Sequence, residues 1–133
     1  MVAWAVTQTD RFKAAVASTT LAHWYNQSAT GVSRWQDPYF GGMTPYEHPD
    51  VFDRVSPIRF VKQVKTPTFI YNGAFDVPTP AIEFWNALKA VGVPTSLVIY
   101  PGEGHKYSNA ANERDVTVRT VAWFDKYVGG GAR

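Results

Sequence analysis

The chain has 133 residues, enough for one domain and too few for two. Apolar residues make up 45% and charged residues 18%, a balance that excludes intrinsic disorder. Thirteen basic against eleven acidic residues leave a net charge of +2, too small to imply nucleic acid or an anionic membrane as partner. With no cysteine, there can be no disulfide, thiolate metal site or Cys nucleophile.

No apolar stretch approaches the roughly 20 residues of a membrane span. The opening MVAWAVTQTD lacks the basic and fully apolar regions of a signal peptide. The compartment stays open, with the cytoplasm favoured.

In chain order, residues 1–9 read as a helix that is apolar on most sides, broken by Asp10 and Arg11. The run KAAVA at 13–17 suits a buried strand, with a turn of helix as the alternative that periodicity alone leaves open. Residues 21–60 are irregular, with Pro38, Pro45, Pro49, Pro57, the Gly41-Gly42 pair and many aromatics, and only a short helix near 50–55. Long aromatic loops of this kind often line sites.

Regularity returns with TFIYN at 68–72, a β-branched and aromatic run that reads as a buried strand. Pro80 suits the first position of a helix, in which Ala81, Phe84, Trp85, Leu88 and Val91 recur at helical spacing, and Gly92 fits just past its end. TSLVIY at 95–100 is the next strand, and residues 101–105 form a loop. Residues 112–128 read as an amphipathic helix with Val116, Thr120, Trp123, Phe124 and Tyr127 on one face, ended by a glycine tail. Alternation of strands and helices predicts an α/β fold with about three parallel strands flanked by helices.

In such a sheet, sites gather at the carboxyl ends of the strands. Three segments qualify: Ser18-Thr19-Thr20, Gly73 to Asp76, and Gly102-Glu103-Gly104-His105. Adjacent strands would bring Asp76 and His105 together. A carboxylate beside an imidazole fixes its tautomer and stabilises the imidazolium, as in a hydrolase triad. Acid before His is also the chain order of α/β-hydrolases. An Asp in a Gly-rich turn is by itself a common turn former, and a loop His is commonly just solvated.

The strings SPIRFVKQVKTPTFIYNGAFDVPTP and ALKAVGVPTSLVIYPGEGH resemble the C-terminal part of the hydrolase domain of the prolyl oligopeptidase family. This is the serine peptidase family that includes acylaminoacyl and dipeptidyl peptidases. The resemblance covers nearly the whole chain and implies a partial α/β-hydrolase fold, with Asp76 as triad acid and His105 as triad base. It implies peptide or small ester substrates and no cofactor. Trp24 and Tyr25 fall where the family places aromatic pocket walls, and ordinary packing is the equal alternative. Asn72-Gly73 replaces the common His-Gly, Pro78 stands where Arg is frequent, and Lys106 follows the His where Gly is common.

The family's nucleophile elbow, Gly-x-Ser-x-Gly-Gly, has no counterpart in these 133 residues. Met1-Val2-Ala3-Trp4 looks like the continuation of the helix that follows that elbow, so about half of a hydrolase domain is expected, starting just past the serine. As substitute nucleophiles, Ser18 at a strand end ranks above Ser108, while Ser33 reads as solvated. An open sheet edge and the apolar residues 1–6 predict self-association, or pairing with a missing N-terminal half. No metal is expected, because His23, His48 and His105 lack ligand-type spacing, and phosphate or dinucleotide fingerprints are absent.

Overall fold

The computed structural model describes residues 1–29 and 38–129. Ser33 and Trp35 of the aromatic loop, and the last two glycines of the tail, lie outside the described residues.

Three strands form a parallel sheet in the order β1-β2-β3, with β1 Ala15–Ser18, β2 Thr68–Gly73 and β3 Thr95–Tyr100. Around it run helices α1 Val2–Gln8, α2 Trp24–Ala29, α3 Pro49–Arg54, α4 Thr79–Ala90 and α5 Ala110–Tyr127, with a 3₁₀ helix at Pro57–Gln63. The expected three parallel strands and flanking helices are present. Helix α2 and the 3₁₀ helix are additional to the expected elements. Both are short and proline- or aromatic-rich, so neither carries enough turns to show a helical period.

β2 is the centre of the sheet, which is why its sequence is an uninterrupted apolar and aromatic run rather than an alternating one. Successive side chains still alternate in direction. Ile70 joins Ala3 and Val6 of α1 and Ala81, Phe84 and Leu88 of α4 in one buried cluster. Phe69 turns the other way and meets Trp123 of α5 at 6.0 Å between ring centres. Helices therefore cover both faces. Each large side chain of the cluster contributes about 1.5–3 kcal/mol by leaving water.

The end of α4 shows why Gly92 stands where it does. Its φ of +79° lets the Gly92 N–H reach Lys89 O at 3.0 Å and the Val93 N–H reach Leu88 O at 3.0 Å, satisfying carbonyls the helix leaves open. The chain then turns directly into β3.

α5 departs from expectation on one point. Val116, Thr120, Trp123 and Tyr127 are half-buried on the inward face, but Phe124 is exposed, and no residue of α5 is fully buried. Its start is well held, because Asn109 Oδ1 accepts from the Ala111 N–H at 2.9 Å. Asn109→Ala is expected to lower stability by about 1 kcal/mol, read by urea titration, whereas Asn109→Ser should recover most of it. Among the described residues no helix is long and apolar enough to cross a membrane.

Candidate active site

The parallel register sets β1 to β3 side by side, with Ser18 opposite Tyr71 and Gly73 opposite Tyr100. The segments leaving the three carboxyl ends therefore meet. After β2 the chain turns at once, with the Asp76 N–H on Gly73 O at 3.1 Å. The buried Asn72 amide spans this turn, donating to Gly73 O and to Asp76 O, both at 2.9 Å. Asn72, where the family commonly has His, thus ties the turn that presents the acid.

The loop after β3 is pinned to that turn. Ala74 N–H donates to Tyr100 O at 3.0 Å and Phe75 N–H to Glu103 O at 2.9 Å. The approach requires glycine at position 73. A Cβ there would fall 2.5 Å from Gly104 O and nearer still to Glu103 O.

These contacts bring Asp76 and His105 together. His105 Nδ1 lies 3.1 Å from Asp76 Oδ2 and 3.3 Å from Oδ1. The Asp76 side chain is only 17% exposed and that of His105 73%, so the acid is sheltered and the ring faces outward. A third group joins them from just past the end of β1, since the Thr19 hydroxyl donates to Asp76 Oδ2 at 2.9 Å. Thr19 has φ +47° and Val77, the residue after the acid, has φ +46°. For β-branched residues this left-handed backbone costs about 1–3 kcal/mol each.

Glu103 holds the histidine loop from behind. It is 1% exposed, and its carboxylate accepts from Ser108 N–H at 2.8 Å, Asn109 N–H at 3.1 Å and the Asn112 amide at 2.8 Å. The Asn112 and Ser108 hydrogen bonds hold its pKa below the ordinary carboxylate value, against the opposing effect of burial. Tyr107 packs edge-on against Tyr71 and Tyr100, and its buried hydroxyl has no partner among the described residues. Burial first, then the nearby Tyr71, Glu103 and Asp76, raises its pKa to about 12. Tyr100 is also raised, by burial and then by Asp115, whose carboxylate accepts its hydroxyl at 2.7 Å.

The serines are placed as follows. Ser18 shares with His105, Tyr71, Tyr107, Glu113 and Val116 a surface hollow of about 220 Å³, but its hydroxyl contacts Thr19 Oγ1 at 3.4 Å. Ser108 serves Glu103 with its backbone N–H. Among the described residues no serine hydroxyl is hydrogen-bonded to His105.

The ring of Trp24 meets Phe40 at 5.6 Å and that of Tyr25 meets Tyr46 at 6.1 Å, both edge-on. Beside them, Asn26 lines a hollow of about 240 Å³ with Val77, Thr79, Pro80 and Glu83. Glu83 is tied to this segment through His23 Nδ1 at 2.8 Å and the Asn26 amide at 3.2 Å. The described residues hold no group of three or more side chains suited to a metal ion.

Thr19, Glu103 and Gly73 were not singled out by role in the sequence. Glu103 and Gly73 stand inside the two recognised motifs, which was the available signal. Thr19 had only its place after a strand.

The model of the prolyl oligopeptidase family matches residues 1–131. The uncharacterised peptidase YuxL of Bacillus subtilis is 34% identical over 140 residues, covering 96% of this chain and 20% of that protein. The acylamino-acid-releasing enzyme of Mus musculus is 38% identical over 77 residues, covering 56% of this chain and 10% of the enzyme. Among solved structures, acylaminoacyl peptidase of Pyrococcus horikoshii superimposes with a TM-score of 0.81 at 24% identity, over 98% of this chain and 23% of that one. A puromycin hydrolase superimposes with a TM-score of 0.84 at 18% identity, over 98% of this chain and 21% of that one. These structures share the fold, and the chain spans about a fifth of the length of YuxL. With that family model matching nearly the whole chain, the chain belongs to the prolyl oligopeptidase family of serine peptidases.

Proposed function

We propose that Asp76 and His105 are the acid and base of a serine-hydrolase triad, and that they act on peptide or small ester bonds. The observation that carries this is the Nδ1 to Oδ2 contact of 3.1 Å between an outward-facing ring and a sheltered carboxylate. With Nδ1 donating to Asp76, the nitrogen left to accept a proton is Nε2. His105 takes the proton of the attacking hydroxyl, Asp76 stabilises the imidazolium formed, and the same proton passes to the leaving group. The sequence contains no Gly-x-Ser-x-Gly, so the full rate needs a serine presented to Nε2 from elsewhere. Without one, the pair activates water and hydrolyses activated esters weakly.

The test is p-nitrophenyl ester turnover by the wild type, Asp76→Ala and His105→Ala. General-base assistance is worth about 10²- to 10⁴-fold, so both variants should fall toward the buffer rate. Equal rates in all three proteins would remove the pair from the mechanism.

A second reading is a chain that works without turnover, assembled with itself or with the rest of a hydrolase domain. It is favoured by the outer edges of β1 and β3, which pair with no described strand, and by Val118 and Val121 exposed on α5 with Val128 just past its end. Light scattering on the assay samples separates the readings: assembly with no turnover supports the second.

A further inference from the structure

The two non-glycine residues with left-handed backbone among those described both border one carboxylate. Val77 follows Asp76 directly, and Thr19 reaches it across 57 positions of sequence. Strain of this kind is held only where surrounding contacts over-determine it, and it concentrates where a side chain must be aimed. At Thr19 what it aims is visible. The backbone leaves the end of β1 in a conformation suited to glycine or asparagine, yet the residue is a threonine whose hydroxyl donates to Asp76 Oδ2 at 2.9 Å.

The same oxygen receives His105 Nδ1 at 3.1 Å, while Oδ1 has only the longer contact of 3.3 Å with that ring. A carboxylate held by the imidazole alone is free to rotate about its Cβ–Cγ bond and exchange its oxygens. A second donor from just past the end of a different strand removes that freedom. The other neighbour of the Thr19 hydroxyl is the exposed Ser18 Oγ, at the longer distance of 3.4 Å.

We propose that Thr19 is a positioning residue for the acid, fixing the Asp76 carboxylate so that one oxygen holds the Nδ1 proton of His105. This rests on the reading of Asp76 and His105 as the working pair. Thr19 touches neither the ring nor any reacting atom, and acts through the carboxylate.

The experiment reads the tautomer of the neutral His105 ring in the full chain by ¹⁵N–¹H correlation spectra. The chain's three histidines are distinguished with a His105→Gln sample. The wild type should hold the proton on Nδ1, and Asp76→Ala should lose that preference. Thr19→Val, which keeps the shape and removes the hydroxyl, should lower the Nδ1–H to Nε2–H ratio about fivefold, the scale of one typical net hydrogen bond. Thr19→Ser should keep the wild-type ratio. Thr19→Gly relieves the backbone and removes the hydroxyl, so it should melt no lower than the wild type and still lose the tautomer preference. A merely structural threonine would move the melting temperature and leave the ratio alone.

If Thr19→Val and Thr19→Gly keep the wild-type ratio while Asp76→Ala loses it, the role of Thr19 is overturned and the pair stands. If Asp76→Ala also keeps it, the pairing itself fails. Should Thr19→Val not fold, Thr19→Gly decides by the same ratio.

Discussion

Gly73→Ala should lower the melting temperature by about 10 °C, corresponding to about 3 kcal/mol of overpacking in a domain of this size. The cost lies at the upper end of the overpacking range because both obstacles are backbone. The added methyl meets Glu103 O and Gly104 O, which cannot swing aside as a side chain end can. The loops would have to separate, and the Phe75 N–H to Glu103 O bond of 2.9 Å would go with them. Because this bond joins the acid turn to the histidine loop, the Asp76–His105 contact should loosen too. Gly104→Ala is the control, since a methyl there meets nothing within 4 Å and the backbone is not left-handed. Thermal melts of the two variants beside the wild type are the measurement. Comparable losses in both would mean that the close approach at Gly73 is not what matters.

Glu103→Gln should be the other costly change, lowering the melting temperature at neutral pH by about 5–10 °C. The carboxylate accepts three hydrogen bonds, two of them backbone N–H groups at the start of α5. A glutamine has one acceptor oxygen, and its NH₂ would face one of those donors. The cost should also depend on pH. The folded-state pKa of Glu103 is lowered from 4.5, so the unfolded chain takes up its proton first. The stabilisation is therefore complete above about pH 4.5 and is lost as pH falls through the lower folded value. The gap between wild type and Glu103→Gln should narrow over that window. Asp115, lowered by Arg119 and then by Tyr100, supplies the same sign of acid sensitivity in both proteins. Melts between pH 3 and pH 7 test this; a gap constant with pH would show that the charge of Glu103 contributes nothing.

Much of the frame was readable before any coordinates. TFIYN could be recognised as a central strand because both its faces are buried, which removes the polar alternation of a one-sided strand. Helix α4 was readable at both ends, since Pro80 near its start has no N–H to leave unpaired and Gly92 past its finish takes a left-handed backbone. The meeting of Asp76 and His105 followed from strand order together with the motifs. The aromatic region was less legible. The short helix expected near 50–55 is α3, but α2 and the 3₁₀ helix have six and seven residues, and runs that short do not display a period. Phe124 misled for another reason. Neighbours on a helix point about 100° apart, so where Trp123 meets Phe69 the Phe124 ring turns toward solvent.

The sequence by itself determined the parallel α/β order, because burial and turn chemistry are written along the chain, while its resemblance to the prolyl oligopeptidase family pointed to the two residues proposed as acid and base. Only the tertiary structure decided what holds those residues in place. Thr19 reaches Asp76 across 57 positions, Gly73 is required by the backbone of a different loop, and Glu103 points into the start of α5 rather than toward the histidine it precedes. Glu103 bonds to residues that follow it closely in the chain, whereas the other two are contacts between segments that the sheet register brings together. No local pattern records such a contact, because its partner is chosen by the neighbouring strand and not by the neighbouring residue.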